Sequence, residues 1–100
     1  MTSKERAVLK SIASSLDTVI IVGKGGITEN VVSETLNALR TRELIKGRVL
    51  ESSLLTAKEA CEELASATGA EAVQSIGSKF VLYKENPDLP LEKRVNLKSK

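Results

Sequence analysis

Apolar residues recur at three- and four-residue spacing near the start of the chain, at Val8, Leu9, Ile12, Ala13 and Leu16. That period is helical, and Thr2-Ser3-Lys4-Glu5 ahead of it fits a capping box. Together they predict an amphipathic helix over about residues 3–15. The pattern then changes. Residues 18–22 form a short, wholly apolar strand, of the sort expected to be buried on both faces or central in a sheet. Gly23-Lys24-Gly25-Gly26 interrupts it as a loop. Thr28 is a good N-cap, with Glu29 well placed in the first turn. Val32, Leu36 and Leu39, flanked by Val31, Thr35 and Ala38, form the buried stripe of a helix over about 28–42. Residues 44–50 alternate imperfectly, as a second strand would, and Gly47 within them marks a bulge or a close backbone approach. Thr56-Ala57-Lys58-Glu59 repeats the capping box and opens a helix over about 56–67. Its inward face is Ala57, Ala60, Cys61, Leu64 and Ala65, and Gly69 is its stop. Two strands, 70–76 and 79–84, are joined by a tight turn at Gly77-Ser78. Phe80 and Leu82 share one face of the last strand, Val81 and Tyr83 the other.

The predicted order is therefore α-β-α-β-α-β-β. The strand–helix–strand unit at 19–50 implies two parallel strands. The economical architecture is an α/β chain of the α+β, two-layer kind: a four-stranded mixed sheet with two or three helices on one face. The folded domain is expected at 1–85. Asn86-Pro87-Asp88-Leu89-Pro90 cannot continue a sheet. Beyond it Lys93, Arg94, Lys98 and Lys100 are opposed only by Glu92, so 86–100 reads as a mobile basic tail.

Composition narrows the chemistry. The chain has 100 residues, enough for one core, and a net charge of only +2. Cys61 is the single cysteine and there is no histidine. An intramolecular disulfide is thereby excluded, and the commonest general base and metal ligand is missing. Cys61 reads as a small buried hydrophobe. No enzymatic activity, cofactor, metal site or small-molecule substrate is expected. No segment is apolar enough for a membrane span or a signal peptide, so the expected location is the cytoplasm. Phe80 and Tyr83 are the only aromatic residues, which argues against stacking platforms for single strands.

The stretch from Val19 to Asn30 carries the candidate chemistry. A buried strand turns through glycines and a lysine onto a helix N-terminus, which can present N–H groups and positive charge to an anion. A P-loop does not fit, because Lys24 comes too early for that motif. A dinucleotide fingerprint fits only in part: Gly23 and Gly25 match, the third glycine position is Thr28, and Glu51 would have to be the ribose acid. Gly-x-x-Gly backbone binding of the kind used by KH domains fits Gly23-Lys24-Gly25-Gly26. On the residues alone, a plain strand-to-helix turn competes with it on equal terms.

Further motifs extend the reading. Val22 to Val31, Glu43-Leu44-Ile45-Lys46, Thr68-Gly69-Ala70, Gln74-Ser75-Ile76-Gly77 and Val81-Leu82-Tyr83-Lys84 follow one another in an order that resembles the CRM domain family, of the CRS1–YhbY type. The likeness spans about residues 2–84 and is greatest to stand-alone bacterial members. The chain departs from the family pattern at Thr18, Ile21, Arg42 and Gly47. The resemblance implies a fold like the C-terminal domain of translation initiation factor three. It also implies RNA binding through Gly23, Lys24, Gly25 and Gly26, and association with precursors of the large ribosomal subunit. The partner it implies is ribosomal RNA, with ribosomal proteins also in view. Thr28, as the helix cap behind the loop, joins the candidate site. Lys4, Arg6, Lys10, Arg40, Arg42, Lys46 and Lys79 are the candidate surrounding contacts. The alternative function is a protein–protein adaptor that uses the open face of the sheet without touching RNA.

Overall fold

A computed structural model describes residues 2–90, 92, 94 and 95. Its elements run in the expected order: α1 (Ser3–Ala13), β1 (Thr18–Val22), α2 (Glu29–Arg42), β2 (Leu44–Val49), α3 (Ala57–Thr68), β3 (Glu71–Ile76) and β4 (Lys79–Tyr83). The capping boxes at Thr2/Glu5 and Thr56/Glu59 are both formed, and Gly69 ends α3 in the left-handed region at φ 76°. Helix α1 ends two residues early. The Ser14 and Ser15 hydroxyls there donate back to the carbonyls of Ser11 and Ile12, a local alternative to a further helical turn.

The four strands form one mixed sheet in the order β1-β2-β4-β3. Strands β1 and β2 are parallel, and β2–β4 and β4–β3 are antiparallel. Strand β1, apolar from Val19 to Val22, is thus an edge strand and not a central one. Ile20 and Val22 are buried, while Val19 and Ile21 on its other face are 37% and 48% exposed. The cause is the placement of α1. A short link, residues 14–17, joins α1 to β1, and the helix packs over β2, β3 and β4, which leaves the outer face of β1 largely uncovered.

Helix placement also modifies the layering. Helices α2 and α3 share one face and bury a core of Ile20, Val22, Leu39, Ile45, Ala60, Cys61, Leu64, Phe80 and Leu82. Helix α1 lies on the opposite face, where Leu9 and Ala13 meet Leu44, Val73, Val81 and Tyr83. Two helices on one face agree with the two-layer count, and the third adds a partial layer on the other. Strand β4 is consequently apolar on both faces, because each face has a helix to meet.

Gly47 answers to a close approach. It pairs with Phe80 across β2 and β4, and a Cβ at Gly47 would lie 2.3 Å from Phe80 Cζ. The ring occupies the space that any larger residue would need. The irregularity expected near Gly47 falls on its partner strand, as a register shift between Thr18 and Ile20.

Glu43, between α2 and β2, has φ 62° and a fully buried side chain. Its carboxylate accepts from the backbone N–H of Asn86 at 2.6 Å, from that of Val95 at 2.7 Å and from Arg94 Nε at 3.4 Å. The segment read as a basic tail is therefore anchored at these three residues. Lys93, Lys98 and Lys100 lie outside the described residues. Cys61 is buried in the core, and its thiol donates to the Val81 carbonyl at 3.7 Å.

Candidate nucleic-acid interface

The glycine loop begins where β1 ends. Gly23–Gly26 forms a turn closed by the Gly26 N–H donating to the Gly23 carbonyl at 3.0 Å, and Gly26 has φ 72°, which only glycine takes without strain. Lys24 and Gly25 stand exposed at its tip. Ile27 then packs on the core and fixes the entry into α2. Thr28 caps α2, its hydroxyl accepting from the Val31 N–H at 3.2 Å. The first N–H groups of a helix have no partner within it, so the turn, the lysine and this helix end together present donors and positive charge to an anion.

The sheet places further cations at the same end. Strand β2 runs parallel to β1, and Arg48 pairs with Ile21 on one side and with Lys79 on the other. Alternation puts Lys46, Arg48 and Lys79 on the α1 side of the sheet, away from Ile45, Val49 and Phe80. Arg48 and Lys79 are level with Ile21, two residues before the turn begins at Gly23. Lys46 is two residues further down β2, about 7 Å at the usual strand rise. Lys10 of α1 joins Lys46 and Lys79 around a depression of about 320 Å³ whose lining also includes Ser14, Gln74 and Ile76 and contains no carboxylate. Arg48 and Lys79, directly opposed like charges, cost stability unless an anion lies across them.

The remaining sequence candidates sit elsewhere. Arg40 and Arg42 are in the last turn of α2, about 20 Å from Thr28 at about 1.5 Å per residue. They do not share a phosphate with Lys24. Arg6 is tied up in the fold, since its guanidinium donates to the carbonyls of Ala72 at 2.6 Å and Val73 at 3.1 Å. A register shift in β3 between Ala72 and Gln74 interrupts the ladder at this point, and Arg6 partners the bulged backbone. Lys4 lies exposed in the first turn of α1. Lys84, in the last family motif, donates to the Thr68 carbonyl at 2.6 Å and so closes the C-terminal end of α3. Sequence reasoning missed Arg48. The available signal was its two-residue spacing from Lys46 on one strand face, which becomes informative once that face is known to be open.

Among the described residues no group of three or more His, Cys, Asp or Glu side chains is arranged to hold a metal. No helix among them is long and apolar enough to cross a membrane.

Comparison with known proteins follows the same lines. Residues 1–84 match the family model of the CRS1 / YhbY (CRM) domain. The chain is 36% identical over 88 residues to the probable RNA-binding protein YqeI of Bacillus subtilis, covering 88% of this chain and 92% of that protein. It is 33% identical over 92 residues to a protein of Haemophilus influenzae named RNA-binding protein, covering 92% of this chain and 93% of the other. The solution structure of the hypothetical protein SAV1595 from Staphylococcus aureus superposes with a TM-score of 0.77 at 38% identity, over 96% of this chain and 99% of that one. The four-stranded mixed sheet with three helices is thus a shared architecture, and the chain belongs to the CRS1 / YhbY (CRM) domain family.

Proposed function

We propose that this protein binds RNA, holding its sugar-phosphate backbone at the Gly23–Gly26 turn and the N-terminus of α2, and that it assists assembly of the large ribosomal subunit. The observation that carries the reading is the exposed Gly-Lys-Gly-Gly turn set on a helix N-terminus, with Arg48 and Lys79 at the same end of the sheet. Glycines let a phosphate strand approach the main chain, Lys24 supplies a mobile charge, and the helix end supplies oriented N–H donors. The names of the Bacillus and Haemophilus relatives support RNA as the ligand class. The large-subunit role rests on the family likeness.

The bare β1 edge, Val19 and Ile21, could serve a protein partner. The cations interleaved with Ile21 and Ile76 favour a polyanion instead, because charged residues are depleted at the centre of protein interfaces. Arg48, Lys46, Lys79 and Lys10 then act as a second row of phosphate contacts, while Arg6 serves the fold.

The test is cosedimentation through a density gradient of cell extract, wild type against Lys24→Glu. The wild type travels with large-subunit precursor particles, and the variant stays at the top. Equal migration of the two, or migration that survives RNase treatment, contradicts the proposal and supports an adaptor.

A further inference from the structure

The loop after β2, residues 50–55, packs against the glycine turn. The Leu50 N–H donates to the Val22 carbonyl at 2.8 Å. A Cβ at Gly23 would meet Leu50 Cδ1 at 3.5 Å, and one at Gly26 would meet Leu55 Cδ1 at 4.0 Å. The loop is fixed internally as well. The Ser53 N–H donates to the Leu50 carbonyl at 3.0 Å, and the Ser53 hydroxyl accepts from the Leu55 N–H at 3.0 Å. Leu50 and Leu55 therefore face the turn. Leu54, between them in sequence, is held outward and is 93% exposed. No other large apolar side chain among those described is so bare; Ile76 follows at 65%.

We propose that Leu54 is the contact for an unstacked nucleobase, and hence that the RNA at this site is looped or single-stranded there and not continuous duplex. The inference rests on the reading of the turn as a phosphate site. A nucleotide has a charged part and an apolar part. The turn and α2 offer donors and charge to the first and nothing to the second, and the only aromatic side chains, Phe80 and Tyr83, are buried. Consecutive Cα atoms lie about 3.8 Å apart, so Leu54 is one such step from Leu55 at the edge of Gly26. The loop that carries Leu54 thus borders the turn on which the phosphate would lie. Aliphatic side chains act as wedges against bases in other nucleic-acid complexes. A stacked A-form duplex hides its base faces, whereas a loop, bulge or strand end leaves one free.

The test compares binding of two RNAs with equal numbers of phosphates, an unpaired oligonucleotide and a blunt duplex, by fluorescence anisotropy at several salt concentrations. Leu54→Ser is expected to keep the wild-type melting temperature. It should weaken binding of the unpaired RNA by about tenfold, with an unchanged salt slope, and alter duplex binding less than twofold. Wild-type affinity for both RNAs in Leu54→Ser, or an equal loss for both, overturns the proposal. So does normal binding of naked RNA combined with loss of binding to ribosomal particles, which would make Leu54 a protein contact. Lys24→Gln separates the underlying reading: it should weaken both RNAs and lower the slope. If it does neither while Leu54→Ser still discriminates, the phosphate reading fails and the base contact stands.

Discussion

Gly47 shows how one position can be half legible. A glycine inside a strand signals a bulge or a close approach, and both occur near it. That the approaching group is Phe80 depends on the β2–β4 register, a long-range fact that no local pattern contains. Gly47→Ala should force the ring aside and destabilise the protein by about 1–3 kcal/mol, read as a lower urea midpoint with an unchanged slope. Wild-type stability would mean that the ring moves freely. Cys61 was legible from its neighbours alone, because small apolar residues at helical spacing mark a buried face. Burial is the main reason its thiol is pushed up to about 11. The folded protein thus keeps a proton that the unfolded chain releases from about pH 9. The resulting stability is present below that pH and is lost as pH rises toward about 11. Burial also raises the Tyr83 phenol, which acts in the same direction. A thiol reagent at pH 7.5 should modify Cys61 only on unfolding, and Cys61→Ala should lessen the alkaline loss. Arg6 and Arg48 were not legible in the same way: one cation serves a strand bulge and the other an open face, and which does which follows from the tertiary structure.

At the scale of elements, nearly every boundary could be read, because caps and glycine stops are local chemistry. The side of the sheet taken by α1 could not. Its apolar stripe fits either face, and the signal lay in β4, where Phe80, Val81, Leu82 and Tyr83 are all apolar and so call for cover on both sides. The edge position of β1 was hidden for a related reason, since a wholly apolar strand reads as central. The junction between α2 and β2 holds the most consequential contact outside the candidate site. Glu43 is fully buried, and Asn86, Arg94 and Val95 converge on its carboxylate. Removing a buried acceptor shared by several partly buried donors is costly. Glu43→Ala should destabilise the protein by about 3 kcal/mol. It should also release the segment after Tyr83, detected as faster tryptic cleavage at Arg94 under native conditions. Unchanged cleavage would show that the segment is held by other means.

For the whole molecule, net charge says little, since +2 on 100 residues is nearly neutral. Distribution matters: Lys24, Arg48, Lys79, Lys46 and Lys10 gather at one end and one side of the sheet, whereas Arg40 and Arg42 lie at the far end of α2. Under the proposed function, such an arrangement would lead bound RNA from the turn down the α1 side of the sheet. It would also make the affinity salt-dependent, because each phosphate contact releases counterions. The proposed function places RNA backbone on the Gly23–Gly26 turn. The most direct measurement is the slope of log affinity against log salt for a structured RNA, in wild type and in Lys24→Gln. The predicted result is a steep wild-type slope that becomes shallower by about 0.7 to 0.9 in the variant, with weaker binding at every salt concentration. Identical slopes and affinities for the two proteins would contradict it.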